Sequence, residues 1–125
     1  MKFEELTDYQ KNFVSNGCGA KGSITPPRAE FFKAACDQHD LDYFLGYREK
    51  DRLKADLRLR SNMRKLIKKV SCRELRTIMN PVMADFLPNF CVKPFFYRWA
   101  DIYFIGVACF GWQYFYYGNE RQVLP

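Results

Sequence analysis

The sequence predicts an all-α domain with a helix pair at its centre. Apolar residues recur at helical spacing in four separate stretches, no stretch alternates strongly enough to read as a strand, and Gly/Pro clusters punctuate the chain between the helical segments. At 125 residues the chain is a single domain by length, spanning 1–125, and is long enough to build a real core. An apolar share of 48% with 18% aromatic residues excludes a disordered chain. The chain has no internal repeat and no low-complexity tract.

The first element is a short amphipathic helix over 1–15, with Phe3, Leu6, Tyr9, Phe13 and Val14 roughly on one side. The stretch SNGCGAKGSITPP (15–27) is a loop by composition. A helix begins near Pro27 or Arg28, because proline suits a first helical turn, and ends at Gly46. Phe31, Phe32, Ala35, Cys36, His39 and Tyr43 recur along it. A second long helix covers 48–70, its apolar side marked by Leu53, Leu57, Met63, Leu66, Ile67 and Val70. The very short turn between these two helices predicts antiparallel packing. A third segment covers 72–79, an irregular connection with three prolines covers 81–94, and an aromatic helix covers 95–118.

The stretch AACDQHDLDY (34–43) holds the only histidine, His39. Neighbours on a helix point about 100° apart, so His39 and Asp40 serve different tasks: a base on one side of a small cavity, a cation ligand on the next. Tyr43 lies one turn beyond His39 on the same face. A histidine base needs an acceptor on its other ring nitrogen. Asp56 is the candidate, on the apolar side of the second helix between Leu53 and Leu57, with Asp42 a weaker alternative. The loop Asn16-Gly17-Cys18-Gly19-Ala20-Lys21-Gly22 can turn its carbonyls around a hard cation such as calcium, and a backbone N–H in it can meet an oxyanion.

These residues resemble the calcium-dependent, secreted-type phospholipase A2 family, and its compact prokaryotic, fungal and viral branch in particular. The resemblance rests on Gly17-Cys18-Gly19, on Cys36-Asp37-Gln38-His39-Asp40-Leu41-Asp42-Tyr43, and on Lys54-Ala55-Asp56 followed by Met63; it covers roughly residues 13–70. It implies an all-α fold with an antiparallel catalytic helix pair, a glycine-rich calcium loop and an aromatic C-terminal helix. It implies hydrolysis of the sn-2 ester of glycerophospholipids, with His39 as base, Asp56 orienting it and Tyr43 supporting the pair. Asp40 and the carbonyls of Gly17, Gly19 and Lys21 would bind Ca2+, and the Gly19 N–H would help hold the oxyanion. Cys18 and Cys36 would tie the loop to the helix. The animal enzymes carry further cysteines where this chain has Ala35 and Asp42, so disulfides beyond Cys18–Cys36 are left unassigned. From the residues alone, the five cysteines fit two disulfides and a free thiol, or five thiols.

Other readings compete. His39 could be a satisfied core histidine. Cys18, Cys36 and His39 could instead hold zinc, although the paired CxxC knuckle is missing. A catalytically silent membrane- or protein-binding module would carry the same fold. The net charge of +6 favours acidic partners; no recognised nucleic-acid fold accompanies the basic helix, whose charges read either as a solvated face or as attraction to anionic phospholipid at roughly 1 kcal/mol per well-placed Lys or Arg, and the resemblance implies a phospholipid surface met peripherally. The aromatic helix is expected to cover the helix pair as core, ahead of an interfacial surface and then a membrane span. MKFEELTDYQ lacks the hydrophobic run of a signal peptide, which leaves export by another path, carriage in a viral or phage particle and a cytoplasmic life as the expectations.

Overall fold

The computed structural model describes residues 1–18, 28–80, 82 and 91–125. The fold is mostly helical, and no strand occurs among the described residues. Among the described residues five helices follow in order: α1 (Asp8–Val14), α2 (Lys33–Leu45), α3 (Glu49–Lys69), α4 (Cys72–Met79) and α5 (Lys93–Phe110). Short 3-10 turns precede α1 at Phe3–Glu5 and follow α5 at Gly111–Gln113.

Local chemistry sets these limits. Thr7 caps α1 by accepting from the Gln10 N–H, while the Gln10 side chain returns to the Thr7 N–H at 3.0 Å. Such a reciprocal cap satisfies two amides that the helix cannot. The capped helix is therefore shorter than the span 1–15, and Tyr9 and Phe13 stay exposed while Leu6 and Val14 are buried. The chain from Arg28 runs as turns and becomes α-helical only at Lys33. Ser71 caps α4 through the Glu74 N–H.

Between α2 and α3 lie only Gly46, Tyr47 and Arg48. One Asp51 carboxylate oxygen accepts both the Tyr47 and Arg48 amides, folding α3 back along α2. Gly46 ends α2, but not by a left-handed turn: its φ is −81°. Space is the reason for glycine, since a Cβ there would stand 2.9 Å from the Asp51 Cβ and 3.1 Å from the Phe115 ring.

The buried stripe of α3 differs from the expected one. Leu53 and Leu57 are exposed, and Arg52, Ala55, Asp56, Leu59, Met63 and Ile67 face inward. Leu59, Met63 and Ile67 join Phe32, Cys36, Leu75 and Phe96 in the main core. The last helix also departs from expectation. It begins at Lys93, with Pro94 in its first turn, and ends at Phe110 rather than near 118. Phe96 and Ala100 are buried against the core, whereas Ile102, Ile105 and Phe110 face outward, so α5 covers the pair with one face only. Among the described residues no helix is long and apolar enough to cross a membrane. The connection expected over 81–94 lies largely outside the described residues.

Two disulfides are present, Cys18–Cys36 and Cys72–Cys91, and Cys109 is free and exposed.

Candidate functional site

His39 and Tyr43 sit one turn apart on α2, with ring centroids 4.1 Å apart. Across the α2–α3 interface, Asp56 receives both. His39 Nε2 lies 2.9 Å from Asp56 Oδ1, and the Tyr43 hydroxyl donates to the same oxygen at 2.6 Å. Arg52, one turn earlier on α3, donates to the other oxygen, Oδ2, at 3.3 Å. Asp56 is only 1% exposed. A bare carboxylate at that depth would be strongly disfavoured, so three donors are what make its burial tenable. A carboxylate acceptor at Nε2 places the imidazole proton there and leaves Nδ1 with the lone pair. Burial, with the adjacent Asp56 carboxylate, holds the Tyr43 phenol well above its ordinary range, so its proton stays on the oxygen and is donated.

Asp42, the weaker candidate for orienting His39, is otherwise engaged: it accepts from Gln38 at 3.0 Å and from Arg58 at 3.1 Å.

Asp40 faces the segment that follows α1. The Asn16 N–H donates to Asp40 Oδ2 at 2.7 Å. Next to it, the Ser15 hydroxyl donates to Asp37 at 2.7 Å, and Asp37 also pairs with Lys33. The Cys18–Cys36 disulfide then pins the segment one turn before Asp40. Residues 15–18 are thereby stitched along α2. Gly17 adopts φ +71° within that stitch, with nothing within 4 Å of a Cβ, so backbone conformation and not space calls for glycine. Burial pushes the Asp40 carboxyl up to about 7, against the opposing Asn16 N–H. A desolvated carboxylate beside a turned backbone offers hard oxygen donors to a cation. Among the described residues no three His, Cys, Asp or Glu side chains cluster to hold a metal, so a cation here would rely on Asp40 and backbone oxygens. Gly19 and Lys21 lie outside the described residues. Cys18 and Cys36 bond to each other and supply no thiolates for zinc.

His39, Asp40, Gly17 and Tyr43 line a cavity of about 750 Å³. The rest of its wall is mostly apolar, including Phe44, Trp99, Tyr103 and Val107. Phe110 and Tyr114 line it too and remain largely exposed.

Two contributors, Arg52 and Phe115, were not read from the sequence, and a third, Gly111, acts through a close approach. Arg52 looked like one more cation on a basic face. Phe115, buried after α5, packs edge-on against Tyr43 at 5.1 Å. Gly111 lets the chain pass Tyr43, because a Cβ there would stand 2.3 Å from the hydroxyl oxygen. For Arg52 a signal existed: it stands four residues before Asp56, the helical spacing of an ion pair.

Comparison of the chain with protein-family models, curated proteins and solved structures returned no match.

Proposed function

We propose that this protein is a calcium-dependent phospholipid hydrolase of the phospholipase A2 type. The observation that carries the reading is that His39 and Tyr43, both hydrogen-bonded to Asp56, line the same mostly apolar cavity as Asp40. In this reading His39 Nδ1 takes a proton from a water molecule, which attacks the sn-2 ester carbonyl of a glycerophospholipid. Asp56 keeps the ring oriented and balances the imidazolium that forms, and Tyr43 steadies Asp56. The proton then passes to the leaving alkoxide, giving a fatty acid and a lysophospholipid.

Asp40 and the Gly17 carbonyl are the described residues that would hold calcium, with Gly19 and Lys21 as the further carbonyls implied by resemblance. Bound there, calcium would supply Lewis-acid polarisation of the ester and charge for the phosphate. The Gly19 N–H would assist at the oxyanion. The apolar wall suits an acyl chain. The exposed Ile102, Phe110, Trp112 and Tyr114, on a chain of net charge +6, suit peripheral contact with an anionic phospholipid surface.

The test is fatty-acid release from mixed phospholipid vesicles, with calcium and then with excess chelator, for wild type and His39→Ala. Calcium-dependent release that vanishes in the folded variant is expected. Absence of release from folded wild type on every lipid tried would overturn the reading and leave a silent membrane- or protein-binding module on this scaffold.

A further inference from the structure

Arg52 is a buried cation with an unusual set of partners. Its Nη1 donates to Asp56 Oδ2, to the Val107 carbonyl at 3.2 Å and to the Ala108 carbonyl at 3.3 Å. Those carbonyls belong to the last turn of α5, where the Val107 carbonyl also accepts the Gly111 N–H. On the other side, Nε and Nη2 donate to Glu49, and Glu49 also accepts the Tyr117 hydroxyl. Gly118 N–H donates to the Tyr47 carbonyl at 3.1 Å, so the chain after α5 returns across the α2–α3 turn. One guanidinium thus joins the C-terminal segment, the end of α5 and the carboxylate that holds His39.

The division of labour on Asp56 matters. Oδ1 takes His39 and Tyr43; Oδ2 takes Arg52. With donors on both oxygens, the carboxyl group cannot turn about its Cβ–Cγ bond. With Oδ2 released, it could turn and carry Oδ1 away from the imidazole. A helix staple alone would need only the two carbonyls.

We propose that Arg52 is a positioning residue that fixes the Asp56 carboxylate against His39, and that Tyr117 of the C-terminal segment sets Arg52 through Glu49 at the start of α3. Its kinetic consequence rests on the hydrolase reading above; its structural consequence does not.

The sole histidine makes the test direct. Protein labelled with 15N-histidine gives one imidazole spectrum, in which the Nε2–H tautomer is seen separately from activity. Wild type, Arg52→Gln and Arg52→Lys are compared, alongside kcat and KM on a monomeric short-chain phosphatidylcholine at saturating calcium. In Arg52→Gln the Nε2–H signal is expected to broaden or vanish, and kcat to fall roughly 10- to 100-fold with KM unchanged, as for other residues that orient a reacting group at one remove. Arg52→Lys keeps a cation near the carbonyls and should recover part of both. A folded Arg52→Gln protein with the wild-type imidazole spectrum overturns the proposal. Should that variant fail to fold, Tyr117→Phe and Glu49→Gln loosen the guanidinium from its exposed side, and an unchanged spectrum in both overturns it equally. Wild type that hydrolyses no lipid would sink the hydrolase reading, while the histidine spectrum would still decide the role of Arg52.

Discussion

Gly111→Ala isolates one contact beneath the candidate site. Backbone conformation does not oppose the change, since Gly111 has φ −64° and ψ −20°. Alanine there should gain up to about 1 kcal/mol by restricting the unfolded chain. Space opposes it: the new methyl would stand 2.3 Å from the Tyr43 hydroxyl oxygen and 3.3 Å from the ring carbon bearing it. To relieve the overlap, Tyr43 must move, and its 2.6 Å bond to Asp56 must stretch or break. A hydrogen bond to a charged group contributes about 1.5–3 kcal/mol, and residual overpacking costs about 1–3 kcal/mol. The net expectation is a loss of about 3 kcal/mol. In a Tyr43→Phe background the oxygen is gone, and the nearest atom is the carbon at 3.3 Å. There Gly111→Ala should cost less than about 1 kcal/mol, or stabilise slightly. Urea denaturation of the four proteins gives the double-mutant coupling, expected at about 2 kcal/mol or more. Equal losses in the two backgrounds would refute the claim that Tyr43 is what requires glycine.

Asp56→Ala strands His39, Tyr43 and Arg52 together, and equilibrium unfolding should show a loss of about 3–5 kcal/mol with fatty-acid release abolished. Asp40 carries a sign that can be checked. Its carboxyl is raised in the fold to about 7 from 3.8, so the unfolded chain releases that proton first, and stability falls as pH rises between those values with a slope of about one proton. Comparing Asp40→Asn with wild type across that window in chelator should remove this slope, and calcium should restore stability to wild type alone at neutral pH. Replacing Trp112, which is exposed and lies outside the cavity wall, by serine should weaken sedimentation with anionic vesicles several-fold while leaving turnover of a monomeric short-chain lipid unchanged.

The helical class was legible because spacing and punctuation are local properties. Lys33–Leu45, Glu49–Lys69 and Cys72–Met79 sit within or close to the stretches expected for them. Pairing of His39 with Asp56 was legible too, though for a faulty reason: Leu53 and Leu57 seemed to mark a buried side and are exposed. Asp56 is buried because the inward stripe of α3 contains Arg52, Ala55 and Asp56, two of them charged, and hydropathy gives such residues the wrong sign. Nor could spacing foresee that α5 would end at Phe110, since the apolar run continues beyond it. What stops the helix is tertiary: Gly111 must pass Tyr43, and Phe115 seats against that same ring.

The return of the C-terminal segment has a bearing on the order in which the molecule can be made. His39, Tyr43 and Asp56 are separated by at most 17 residues, and their bonds can close once α3 has left the ribosome. The Arg52 contacts with Val107 and Ala108, and the seating of Phe115, wait for residues synthesised more than 50 positions later. A nascent chain that has completed α3 therefore holds His39, Tyr43 and Asp56 open-sided, and covers them only after α5 and the segment to Phe115 have followed.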